Sequence, residues 1–145
     1  MDFATLDTKT SAEKGARLHL RHPAIQHLLY TGDGCDIDGQ WINKKKKGEA
    51  VGVVVRGTES KSVQDRLKIL QKQKVKGEDE IGEESALEFV CSLVIGFFGL
   101  ERDGKPIEAN DDNKRLFFEM SDGLVEQVVD FSKERANFFT ATSSD

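Results

Sequence analysis

A chain of 145 residues is the size of one domain. Apolar residues make up 37%, charged residues 32%, and the net charge is −5, a balance that suits a soluble protein with a thin core and disfavours a general nucleic-acid binder. No apolar run approaches the roughly 20 residues that span a bilayer. Met1–Thr5 has neither the basic nor the apolar region of a secretory signal.

Charge is unevenly placed. Residues 44–76 hold 11 bases against 3 acids, and both flanks are acidic. The first 57 residues read as β-rich. Ala16–Arg21 alternates as a half-buried strand does, and Pro23 stops it, because proline cannot donate to a ladder. Gly32-Asp33-Gly34 and Asp38-Gly39 are turn signals. Gln40-Trp41-Ile42 fits a short strand, and β-branched Val51–Val55 a better buried one.

Residues 58–82 turn helical. Thr58 or Ser60 is placed to cap a helix on which Val63, Leu67 and Leu70 form a narrow apolar stripe; Gly77–Gly82 reads as an acidic linker. Residues 83–139 read as a helical region. Ala86–Ile95 is apolar on nearly all sides and is expected to form one helix, ended by Gly96 and Gly99. Asp103-Gly104-Lys105-Pro106 marks a tight turn. Asn110 caps a short helix with Leu116 and Phe117, and Asp122 caps a last helix carrying Leu124, Val125, Val128, Val129 and Phe131. Residues 140–145 read as a disordered tail. The predicted class is α+β, a small N-terminal antiparallel β-sheet followed by a C-terminal helical bundle.

Few residues point to chemistry. His19, His22, His27 and Cys35 follow no zinc spacing, so no metal is expected. Asp33, Asp36, Asp38 and Gly39 lack the closing glutamate of a calcium loop and read as a solvated turn. Cys35 and Cys91 lie in contexts too different to form a disulfide framework. Lys44-Lys45-Lys46-Lys47 could contact phosphates or simply form a solvated loop. No phosphate loop, nucleophile elbow or other catalytic constellation stands out, and no cofactor is expected.

From Gly57 to Phe138 the order of features resembles the tail assembly chaperones and small tail proteins of long-tailed bacteriophages. The residues that carry this are Gly57-Thr58-Glu59-Ser60, Arg66, Gly96-Phe97-Phe98-Gly99-Leu100, Asp103-Gly104-Lys105-Pro106, Asn110 with Leu116, Gln127-Val128 and Arg135-Ala136-Asn137-Phe138. Phe97-Phe98 stands where the family pattern has a tryptophan. The resemblance implies a non-catalytic protein of the host cytoplasm that shelters the apolar face of the tape-measure protein and recruits tail-tube subunits; self-association into a homo-oligomer is open. Phe97, Phe98, Phe118 and Phe139 are then the candidate partner contacts. Phe118 and Phe139 lead, because neighbouring phenylalanines on a helix do not readily both turn inward. The plainer alternative is that Leu93, Phe97, Phe98, Phe117, Val128 and Phe131 build the domain's own core. Two other functions compete: a structural tail or head–tail protein that stays in the virion, and a nucleic-acid-binding regulator using residues 44–76.

Overall fold

The computed structural model of the protein describes residues 1–42, 48–75 and 83–138. The expectations for Lys44–Lys47, the 77–82 linker, Phe139 and the 140–145 tail lie outside the described residues. A short 3-10 turn at Phe3–Leu6 leads into α1 (Thr8–Lys14), whose N-cap Asp7 accepts from Thr10 N at 2.9 Å. β1 (Ala16–His19), β2 (Gly34–Cys35), β3 (Trp41–Ile42) and β4 (Gly52–Val55) follow. Next come α2 (Lys61–Val75), α3 (Glu83–Ser92), β5 (Val94–Phe98), β6 (Glu101–Arg102) and β7 (Lys105–Pro106). α4 (Asp111–Glu119), α5 (Asp122–Lys133) and a 3-10 turn at Arg135–Phe138 complete the order. The fold is α+β, as expected. No described helix is long and apolar enough to cross a membrane.

The main sheet is antiparallel, in the order β1-β4-β5. Its third strand corrects the expectation of a purely N-terminal sheet and of one helix from Ala86 to Ile95. The helix stops at Ser92, whose Oγ turns back to donate to the Phe89 carbonyl at 2.5 Å. The β-branched and aromatic residues beyond it favour the pleated state. So Gly96-Phe97-Phe98 is not a corner after a helix but an edge strand.

A register shift between Val54 and Val55 makes Ile95 an extra residue, since Val54 faces Gly96 and Val55 faces Val94. Strict alternation would put Val94 and Phe97 on opposite faces; the bulge puts both on the helix-covered face, beside fully buried Val53 and Val55. Phe98 falls on the other face, where the Arg17 guanidinium lies 4.0 Å from its ring centre. On a strand, adjacent phenylalanines part company.

The helices behave differently. α4 lies between α3 and α5, so an apolar arc wider than one stripe is covered. Phe117 and Phe118 are therefore both buried, at 4% and 3% exposure. This corrects the placing of Phe118 as an outward partner contact. Their rings meet edge-on at 5.1 Å, and Phe117 reaches Phe97 at 5.3 Å.

Caps follow the sequence closely. Buried Ser60 Oγ accepts from Val63 N at 3.1 Å to start α2, and Asn110 Oδ1 accepts from Asn113 N at 2.9 Å to start α4. The cap of α5 is Ser121 rather than Asp122, which sits in the first turn and meets the positive end of the helix. Asp103 (φ 54) and Gly104 (φ 77) form the two-residue loop of the β6–β7 hairpin, the conformation Asp-Gly is suited to.

Candidate apolar docking cleft

Between the segment 20–29 and the α4–α5 corner lies a cleft of about 480 Å³. Leu20, Phe117 and Leu124, each at most 6% exposed, form its base. Leu29, Leu100 and Ile107 add apolar walls. Leu116 on α4 and Met120 at its C-cap lie one helical turn apart, and they are 40% and 66% exposed at the rim.

The walls are held to the scaffold. Leu20 N donates to Val51 O at 3.0 Å, Val51 N to Leu29 O at 3.1 Å, and Leu29 N to Leu20 O at 2.9 Å. The Gln127 amide grips the Arg21 backbone from both sides: its Oε1 accepts from Arg21 N and its Nε2 donates to Arg21 O, each at 2.8 Å. Ile107 N donates to Leu100 O at 3.1 Å, and Asn113 Nδ2 to Glu108 O at 2.8 Å. An apolar recess with both walls pinned is pre-organised to take apolar side chains with little ordering cost. Past His22, Leu29, Leu100 and Glu101 it joins a second recess of about 440 Å³, lined also by Tyr30, Asp33 and Trp41.

A separate ionic cleft of about 370 Å³ lies among α2, α3 and α4. Glu88 there pairs with Arg66 and, at 3.6 Å, with Arg115. Asp65, Glu88 and Asp111 match Arg66, Lys114 and Arg115 in charge, which leaves no net field to gather an anion. Cys91 lines this cleft, and burial pushes its thiol up, away from the reactive thiolate.

The other residues singled out in the sequence serve local structure. His19 Nε2 lies 2.6 Å from Leu29 O, and His22 Nδ1 accepts from Ala24 N at 3.1 Å with its ring edge-on to Trp41. Asp36 Oδ1 accepts from both Asp38 N and Gln40 N at 2.9 Å. Cys35 and Cys91 are unbridged. Among the described residues no group of three or more His, Cys, Asp or Glu side chains is placed to hold a metal ion.

Several residues of the quoted pattern meet at one joint. Glu59 Oε1 accepts from Arg135 Nε at 2.8 Å. A side chain on Gly57 would collide with Ala12 Cβ at 2.8 Å and press on the Phe138 ring at 3.2 Å.

Of the phenylalanines proposed as contacts, Phe139 lies outside the described residues; Phe97 faces the core side, Phe98 the opposite sheet face and Phe118 the interior, and none of these three lines the rim of the cleft. Sequence reasoning missed Met120 as a rim residue. Its i, i+4 relation to Leu116, offset from the buried positions 117 and 124, was the available signal. No family model, curated protein or solved structure matches the chain.

Proposed function

We propose that this protein is a non-catalytic assembly chaperone of bacteriophage tails, acting in the host cytoplasm, which takes the apolar stripe of a tape-measure helix into the cleft beside α4. One observation carries the reading: an apolar recess with pinned walls and two exposed rim residues one helical turn apart. That geometry suits a helix laid in a groove, anchored by residues at i, i+3 or i+4 and i+7. The order of sequence features from Gly57 to Phe138 supplies the tail context. Tail-tube subunits are the second partner this reading entails.

The test is co-expression of the full chain with the tape-measure protein of the same phage. The expected result is a soluble complex that is lost in Met120→Asp and Leu116→Asp variants which still fold. A tape-measure protein equally soluble without the chain, or a complex indifferent to both substitutions, would refute it. Presence of the chain in purified virions would point instead to a structural tail protein.

A further inference from the structure

The apolar recess and the residues that stand out beside it belong to one patch. Its base is sunk among Leu20, Phe117 and Leu124, while Met120 and Leu116 project at the rim. A two-fold axis through such a patch puts each copy's rim residues into the other's recess. We infer that, with no other chain bound, the protein forms an isologous dimer in which Met120 of each copy enters the cleft of the other. This goes beyond the docking function proposed above and stands without it. The two meet at one point: a recess filled by a second copy cannot hold a helix at the same time.

Charge and composition favour a second copy over a different chain. An isologous contact doubles whatever net charge its patch carries. Among the described residues that line the cleft only Glu101 and Arg102 are charged, and they cancel. Two copies with a net charge of −5 each therefore meet here without like-charge repulsion across the axis. Nine of the fourteen described lining residues are apolar, the bias that marks homodimer interfaces. Polar groups of the lining are already served within the chain: Asn113 Nδ2 donates to Glu108 O at 2.8 Å, and Ser121 Oγ accepts from Gly123 N at 3.1 Å. Covering them with a second copy orphans neither.

Methionine suits the part, since its unbranched thioether chain adapts to an irregular apolar recess. The patch is small. A standard interface takes about 20–30 residues a side, so the fourteen described here make a weak dimer that forms only as concentration rises.

The test is sedimentation equilibrium of the full chain alone, from about 1 to 300 µM. The expected result is monomer at the low end and dimer at the high end. Met120→Asp would bury a carboxylate twice across the axis, and it should raise the dissociation constant at least about tenfold with the circular dichroism spectrum unchanged. Arg102→Glu and Glu101→Arg each set like charges facing one another. Either should weaken the dimer about three- to tenfold, and the loss should shrink as salt is raised. The double exchange Glu101→Arg/Arg102→Glu restores neutrality and should dimerise as the parent does. A chain that stays monomeric through about 300 µM would overturn the inference and leave the docking function to its own test. A dimer indifferent to Met120→Asp would overturn it by placing the contact elsewhere. So would a double exchange as weak as the single reversals, or a dimer that takes up tape-measure protein without dissociating.

Discussion

Phe118 separates a core residue from a docking residue most sharply. It is 3% exposed, and a buried phenylalanine removes about 200 Å² from water. At about 25 cal/mol/Å² that is about 5 kcal/mol. Alanine keeps the β-carbon, and the unfolded chain already shields part of the ring. Phe118→Ala should therefore cost about 3–5 kcal/mol, including the edge-on contact with Phe117 at 5.1 Å. Against a typical total of about 5–15 kcal/mol, this is a large fraction of the stability. At this chain length it should lower Tm by about 8–16 °C. Urea unfolding followed by circular dichroism measures it. Met120→Ala, two positions on and 66% exposed, should stay within about 0.5 kcal/mol of the parent while weakening partner binding. A Phe118→Ala variant within about 1 kcal/mol of the parent, at unchanged m-value, would refute the packing described for α4.

Three further outcomes follow from local geometry. In Gly52→Ala the new Cβ would stand 1.8 Å from Leu18 O and 2.7 Å from Phe98 Cζ, so a loss of about 3 kcal/mol or more is expected; Gly96→Ala, with nothing within 4 Å, should melt near the parent temperature, and equal Tm values for the two would contradict the β1–β4–β5 register. Glu13 accepts from Ser62 Oγ at 2.5 Å and Ser62 N at 2.9 Å and pairs with Arg56 at 3.0 Å. These contacts, the Ser62 hydroxyl first, hold its carboxyl below the ordinary 4.5. The bond therefore stabilises the fold above pH 4.5, and that stability drains as pH falls through the lower folded value; Glu13→Gln should cost about 0.5–1 kcal/mol at neutral pH, the exposure of the site being allowed for, with the gap closing in acid. A gap that persists at pH 2 would contradict the assignment. Exposed Cys35 should alkylate quickly at mildly alkaline pH and Cys91 slowly; comparable rates, read by mass spectrometry, would contradict the half-buried placement of Cys91.

Local chemistry was legible in the sequence wherever neighbours along the chain decide the outcome. Ser60 and Asn110 as caps, the tight turn at Asp103-Gly104 and the strand read over Val51–Val55, which forms at Gly52–Val55, depend on a few adjacent residues. The stripe at Val63 and Leu70 is buried as its spacing requires. What failed depended on partners distant in sequence. An apolar run such as Val90–Phe98 satisfies a buried helix and a buried strand equally well. Only the vacant edge of β4 chose the strand, and only the bulge at Ile95 set which phenylalanine faces the core. Phe118 turns inward because α3 and α5 flank α4 on both sides, a fact no helical wheel contains. The cleft is tertiary in the same sense. Leu20, Leu29, Ile107, Leu116, Met120 and Leu124 come from five stretches of chain, and a recess exists only where such stretches meet.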